Sequence, residues 1–271
     1  MKRQHIIVIA DMHVGSTVGL WPREGAPIEG GGMYMPNRPQ VWLAERWLDM
    51  LETVSALRPK PTLILNGDIT QGVNARDGQI VGATLQPQLE AAYQMLEPLK
   101  RISQAIYVIR GSEYHDGKAG ESVEGLAGRL GAVTEEATGQ SSVWELFCAV
   151  DGHVAHFSHH IGVSSVPWYE ATVPLRNTLM QLAELAREYG VKAPQVRLVV
   201  RSHRHRFIHV NTGEVQVVTT PAWQLLTAYA YRKGNYQLPH IGWLLVTIED
   251  GEIWVRPQRY RLPLPHIEGG E

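Results

Sequence analysis

The sequence carries a single cysteine, Cys148, in 271 residues. One thiol forms neither an internal disulfide nor a cysteine cage for zinc. It lies in the run Trp144-Glu145-Leu146-Phe147-Cys148-Ala149-Val150, which reads as a buried strand, so Cys148 is expected to be an inert core side chain. The lack of disulfides suits a reducing compartment, and a cytoplasmic location is expected. Long hydrophobic runs are missing as well. No stretch approaches the ~18 apolar residues of a membrane helix. Lys2 and Arg3 precede an apolar run over residues 6–10, but Asp11 ends it short of the ~7–15 residues of a secretory leader. That run is expected to be an internal strand, and no membrane partner is expected. Nor is there an excess of positive charge. The 25 Lys and Arg stand against 27 Asp and Glu, a formal net charge of -2. This excludes a general nucleic-acid coat held by its overall field and leaves room for a local basic patch. The chain shows no internal repeat, low-complexity tract, phosphate-cradling glycine loop or Ser–His–Asp order.

Apolar residues make up 44% of the chain, too many for a disordered segment and enough for a real core. One domain over residues 1–262 with a loose tail at 263–271 is expected. Short β-rich runs at 5–10, 62–65 and 105–109 alternate with helical patterns at 39–57, 85–102 and 121–130. This order predicts parallel strands with helices on the faces. A long loop rich in Gly and Pro fills 14–38, a length that is usually functional or mobile. From residue 143 the pattern changes. A hairpin over 143–150 and 153–158 turns at Asp151-Gly152, and the longest helix spans 169–189. Strands follow at 196–200, 207–210, 215–219, 241–249 and 253–259, with turns at Thr212-Gly213 and Asp250-Gly251. The second half is therefore expected to be mixed or antiparallel.

The 12 histidines are not clustered as a tag, and their placement carries the most information. Five of the apolar strands end in metal-type ligands. Asp11 and His13 end the first, Asp68 the second, Glu113 and His115 the third, His159 and His160 the fourth, and His203 and His205 the fifth. In an open α/β sheet, ligands bind outside the carboxyl ends of the strands, so residues far apart in sequence would meet at one edge. Imidazole mixed with carboxylate suits Zn, Mn, Fe or Ni; carboxylates alone would suit Mg or Ca. Residues two apart on a strand point to the same side, as in Asp11/His13 and His203/His205. Asp68 is the candidate to bridge two ions through its two oxygens. Two ions ~3.5–4 Å apart clamp both the attacking and the leaving oxygen of a phosphoryl displacement. Taken alone, Asp11 and Asp68 read as turn residues; as an ordered set they read as a metal centre. His153, His156 and His209 read as structural, and His5, His240 and His266 carry no assignment. Arg110, Arg201, Arg204 and Arg206 lie near the strand ends, and Arg110 and Arg204 are the candidates to grip substrate phosphate. Trp21, Tyr34, Trp168, Tyr169 and Trp223 read as packing residues before base-stacking ones.

The ordered set Asp-x-His at 11–13, Gly-Asp at 67–68, a strand end at 111–115, His159, and His-x-His at 203–205 resembles the calcineurin-like metallophosphoesterases. That superfamily includes purple acid phosphatases, Ser/Thr protein phosphatases, cyclic-nucleotide phosphodiesterases and DNA-repair nucleases. The resemblance spans residues 5–205. It implies an α/β fold, a four-layer α-β-β-α sandwich with mixed sheets, and a site for two divalent metal ions (Mn, Fe, Zn or Ni). Asp11, His13, Asp68 and His205 would hold the first ion, and Asp68, His159 and His203 the second. The third motif departs from the family pattern of Gly-Asn-His followed by an acid. Here it reads Gly111-Ser112-Glu113-Tyr114-His115, with Ser112 in place of the Asn ligand. Either His115 swings in as general acid or ligand, with Glu113 as a carboxylate ligand, or the second ion is held weakly; the first reading is favoured. His159 is preferred as the ligand over His160. The expected activity is metal-dependent hydrolysis of phosphate esters, leaning to phosphodiesters such as a nucleotide or nucleic acid. The alternatives are a phosphomonoesterase on the same fold and a non-catalytic scaffold with a decayed metal site.

Overall fold

The computed structural model describes residues 3–73, 78–162, 166–233 and 237–263. Beyond Pro263 the expected tail lies outside the described residues. The chain begins with β1 (Gln4–Ile9), then a small hairpin of β2 (Ala26–Pro27) and β3 (Met33–Tyr34). α1 (Arg38–Ser55) starts at a capping box: the Asn37 side chain accepts from Gln40 N, and the Gln40 side chain accepts from Asn37 N. Then come β4 (Thr62–Asn66), α2 (Gln86–Ile102), β5 (Ala105–Ile109), the single turn α3 (Glu113–Asp116), and α4 (Glu121–Leu130). β6 (Ser142–Val143), β7 (Glu145–Val150), β8 (His153–Ser158), α5 (Thr172–Tyr189) and β9 (Val196–Arg201) follow. The chain continues through β10 (Ile208–Asn211), β11 (Gln216–Thr219), the short α6 (Ala228–Arg232), β12 (Ile241–Glu249) and β13 (Glu252–Tyr260).

Two mixed sheets result. The first runs β13-β12-β1-β4-β5-β6 and the second β10-β11-β9-β8-β7. β1, β4, β5 and β6 are mutually parallel, joined by crossovers through α1, α2 and α4. In the second sheet β8, β9 and β11 are parallel, with antiparallel partners at both edges. The alternation of side chains along a strand sorts the residues into layers. Ile7, Ile9, Leu63 and Leu65 pack against Trp47, Leu96 and Leu126 of the helices outside the first sheet. Ile6, Val8 and Ile64 point the other way and meet Phe157, Leu198 and Val200 of the second sheet. Val199 and Val217, on that sheet's outer face, are covered by Leu175 and Leu182 of α5. The architecture is thus a four-layer α-β-β-α sandwich with mixed sheets. Among the described residues no helix is long and apolar enough to cross a membrane.

Three expectations change. The strand expected from Val143 is two strands, because Ser142–Val143 pairs with β5 in the first sheet and Glu145–Val150 belongs to the second. The chain changes sheets at Trp144, which no periodicity marks. Cys148 sits on the edge strand β7 and is only partly buried, though burial raises its thiol pKa and keeps it protonated. The loop at 14–38 is anchored over its first part, where Val14, Leu20 and Trp21 are fully buried and Trp21 Nε1 donates to Tyr34 O at 3.1 Å, while residues 30–33 are exposed. Trp223 is also a core residue, edge-on to Trp47.

One polar cluster ties the second sheet to α5. Arg201, buried, donates to Gln181 Oε1 at 2.8 Å and to His156 Nδ1 at 3.1 Å. His156 therefore carries its proton on Nε2, which donates to Glu145 Oε2 at 3.0 Å. Burial, and then the Arg201 cation, push His156 from 6.5 down to about 3. Because the unfolded chain binds this proton more readily, the neutral imidazole stabilises the fold fully above pH 6.5, and that contribution is lost as pH falls toward 3. His156→Gln should flatten the loss of stability between these limits in urea titrations. A slope identical to wild type would show that His156 does not take up the proton.

Candidate metal centre

The ligand-bearing loops leave the carboxyl ends of β1, β4, β5, β8 and β9, and backbone bonds bring them together. Asp11 N donates to Gly67 O at 3.0 Å and His13 N to Asp68 O at 3.1 Å, joining the loops after β1 and β4. Ser202 N donates to His159 O at 2.9 Å, joining those after β8 and β9. Asn66 Nδ2 bridges the two sheets, donating to Ser158 O at 3.2 Å and to Ser202 Oγ at 2.6 Å. Thr220 Oγ1 donates to the same Ser202 oxygen at 2.9 Å.

The backbone is strained where the ligands sit. Asp11, His13, Asp68, His203 and His205 have φ of 51°, 45°, 52°, 70° and 55°. The remaining non-glycine residues with positive φ among those described, Asp151 and Asp250, occupy the Asp-Gly hairpin turns. Left-handed conformations cost about 1–3 kcal/mol each in such positions and persist where the surroundings enforce them. Here they turn successive side chains into one space.

Three groups of side chains converge there: Asp11, His13 and His205; His13, Asp68 and His115; and Asp68, His159 and His203. Within each group the ligand atoms lie within 4.8 Å of one another. His13 Nε2 is 3.1 Å from His205 Nε2, and His205 Nε2 is 3.4 Å from Asp11 Oδ1. His159 Nε2 is 3.1 Å from Asp68 Oδ2 and 3.2 Å from His203 Nδ1, and His203 Nδ1 is 3.7 Å from Asp68 Oδ2. Two imidazole nitrogens bound tetrahedrally to one ion at ~2.0–2.1 Å stand about 3.3 Å apart, so these spacings suit a shared cation. Asp11 Oδ1 is buried and accepts no hydrogen bond. An acceptor left without a donor, facing lone pairs of histidine, is the donor set a divalent ion satisfies.

The electrostatics agree. Burial, then the neighbouring His115 and His205, hold His13 well below its usual pKa, so its ring is neutral and offers a lone pair. Burial alone would raise Asp68, but the adjacent His159 and His203 hold it well below the carboxylate range, as an anion. His159 is buried too, yet the Asp68 carboxylate outweighs that cost and pushes it up to about 10. Its Nδ1 donates to Asn66 O at 2.8 Å, so Nε2 faces Asp68. Metal binding at Nε2 must therefore release a proton.

Not every predicted residue is gathered in. His115 is present: its Nδ1 donates to Gln71 O at 2.6 Å and its ring stands edge-on to His13, 4.4 Å between centroids. Ser112 braces Asp68, with N at 2.6 Å and Oγ at 2.9 Å from Oδ1. Glu113 is exposed at the start of α3 and joins none of the three groups. His160 is exposed beside His203, with ring centroids 5.7 Å apart, and also joins none. Arg110 is buried elsewhere, bonded to Ser142 Oγ at 2.9 Å and Gln140 Oε1 at 2.7 Å. Arg201 serves the α5 cluster. Arg204 lines the cleft, its guanidinium 3.5 Å from Glu170 Oε1, which also accepts from Arg206 Nε at 2.7 Å.

Several residues were not singled out from the sequence. Asp116 is buried, with Oδ2 accepting from Gly111 N at 2.5 Å. Burial and the nearby Asp68 push its carboxyl up to about 7. With a two-residue insertion at 113–114, His115-Asp116 lines up with the His-acid pair of the motif that the sequence resembles, and that register was the available signal. Gln71, Asn66, Ser202 and Glu170 act as outer partners and carry no motif. The ligands open onto a cleft of about 650 Å³ that extends to α6, within the size range of small-ligand sites.

No protein-family model matches the chain, and no curated protein does. Several solved structures are similar to it in fold. One is a Streptococcus pneumoniae protein described as a predicted phosphoesterase, 12% identical over 96% of this chain and 91% of that one, TM-score 0.41. Another is zinc-complexed Vps29 from Entamoeba histolytica, 13% identical over 94% and 99%, TM-score 0.41. A putative 5'-nucleotidase from Staphylococcus aureus is 12% identical over 98% of this chain and 56% of that one, TM-score 0.42.

Gly67 tests the assembly directly. Its φ is 84°, and a Cβ there would strike the His159 ring and the Gly111 Cα. Gly30, at φ 70°, has open space around it. Gly30→Ala should cost only the left-handed penalty of about 1–2 kcal/mol, whereas Gly67→Ala should cost clearly more in urea denaturation of metal-free protein. Equal costs would show that His159 is not seated against Gly67.

Proposed function

We propose that this chain is a metal-dependent phosphoesterase that works with two divalent ions and hydrolyses phosphodiesters of nucleotide or nucleic-acid type. One observation carries the reading: Asp11, His13, Asp68, His115, His159, His203 and His205, from five strand ends, converge in three overlapping groups, and His13, Asp68, His115, His203 and His205 line a cleft. Asp11, His13, Asp68 and His205 would hold one ion, and Asp68, His159 and His203 the other. When bound, the ions supply Lewis acidity, lowering the pKa of a water and offsetting charge on the phosphoryl oxygens.

The chain's own residues prepare the rest. Ser112 fixes Asp68 through Oδ1, so Oδ2 stays toward His159 and His203. Asn66 holds the His159 ring in the tautomer that aims Nε2 at the site. The Gln71 carbonyl occupies His115 Nδ1, which leaves Nε2 as the atom able to deliver a proton to the leaving oxygen. Glu170 pins Arg204 at the cleft wall, presenting its guanidinium without further ordering cost. The lean to diesters rests on the cleft, which runs past the ligands toward α6 and has room for groups on both sides of a phosphate.

Asp68→Ala and His205→Ala should each lower hydrolysis of an activated aryl phosphate ester by more than about 100-fold, the upper range for losing even an outer partner of a ligand. A chelator should abolish activity, and Mn or Zn should restore it. Wild-type turnover in Asp68→Ala would refute the site assignment. Steady-state comparison of bis-aryl and mono-aryl phosphates should favour the diester; clear monoester preference would reject the substrate class and leave the metal centre standing.

A further inference from the structure

α6 lines the same cleft as the candidate ligands, and none of its side chains has yet been given a role. This helix is held firmly. Thr227 Oγ1 accepts from Ala230 N at 3.2 Å, and Gln79 Oε1 accepts from Ala228 N at 2.7 Å, tying it to the loop before α2. Along the cleft it presents Tyr229, Arg232 and Lys233. Tyr229 is 66% exposed, and Lys233 Nζ lies 5.8 Å from its ring centre. The charge of the cleft is uneven. Near the ligands, Arg204 and Arg206 share Glu170. On α6 and at its end, Arg232 and Lys233 are exposed and have no carboxylate partner among the described residues. Single unpaired cations are ordinary on a surface. Two of them beside an exposed aromatic ring, in a cleft also lined by metal-type ligands, form a different arrangement: a guanidinium and an ammonium suit phosphate, and the ring suits a planar base.

We propose that α6 is a second anion subsite, in which Arg232 and Lys233 take a phosphate neighbouring the scissile one and Tyr229 takes a base. The occupant is a short single strand of nucleic acid. This rests on the phosphoesterase reading, because the scissile phosphate must lie at the ligands for its neighbour to reach α6. Specificity then comes from α6, and the strand ends do the chemistry. A nucleoside diphosphate shares the chemistry of two phosphates and a base, so the experiment separates the two.

The test uses the full-length chain without metal and a fluorescently labelled hexathymidylate, read by anisotropy over a range of salt. Wild type should bind, and R232A/K233A should weaken binding about tenfold or more, as expected when charged hydrogen bonds to phosphate are lost. The salt slope should fall by about 0.7 for each phosphate contact removed. Arg232→Lys, which keeps the charge, should retain most of that slope, a result that misfolding would not give. With metal, the ratio of kcat/KM for hexathymidylate over a bis-aryl phosphate should drop in R232A/K233A. Unchanged binding and slope in the double variant would overturn the subsite. Thymidine diphosphate competing as well as the strand would overturn the strand as occupant. Absence of hydrolysis with every ion, alongside binding that depends on α6, would sink the phosphoesterase reading alone.

Discussion

A carboxylate removed from water needs positive charge or donors around it, and Asp68 has both at the centre of this molecule. Ser112 offers two donors to one oxygen, while His159 and His203 face the other. Each partner comes from a different strand end: Ser112 follows β5, His159 follows β8 and His203 follows β9. Meeting the needs of one buried anion therefore requires the carboxyl edges of both sheets to come together. The apolar layer between the sheets holds them face to face, but apolar packing is non-directional. The polar bridge from Asn66 to Ser158 and Ser202 supplies the direction, because amide and hydroxyl geometry tolerates little sliding.

The cost of this arrangement is visible in the backbone. Left-handed φ values fall on the ligands and on hairpin turns, and on no other non-glycine residue among those described. The buried atoms without partners include three at or beside the candidate ligands: Asp11 Oδ1, His13 Nδ1 and Asp116 Oδ1. A sequence selected for stability alone would relax these positions. Left-handed backbone and unmet polar atoms coincide at Asp11 and His13, the combination expected of a functional site rather than of packing alone.

Much of this was legible in the residues. The first three strands were readable as short apolar runs that ended in polar loops, and β-α alternation implied their parallel order. The ligands could be picked out because imidazole and carboxylate are conspicuous at the end of an apolar strand. What escaped notice had physical reasons. The change of sheet at Trp144 leaves no mark, since hydrophobic alternation continues on either side of it. Arg110 looks like a phosphate-binding residue in sequence, but Gln140 and Glu124 lie far enough along the chain that only the fold brings them to its guanidinium. The loop at 14–38 reads as mobile because it is long and rich in Gly and Pro, whereas Leu20 and Trp21 anchor its first part inside. Glu113 and Asp116 lie on the same single turn, and burial alone separates their roles.

The register of β12 against β1 sets an order of events. Gln4 pairs with Ile248 and Val8 with Leu244, so the strand that carries Asp11 and His13 at its end is completed on one side by residues near the other end of the chain. Until those residues are made, β1 is an edge strand with its hydrogen bonds open on that side, however early it leaves the ribosome. Pairings of such long sequence separation form slowly. The candidate metal centre thus leans on residues that follow all of its own ligands: His205 is the last of these in sequence, yet β1 gains its second neighbour only with residues 244–248.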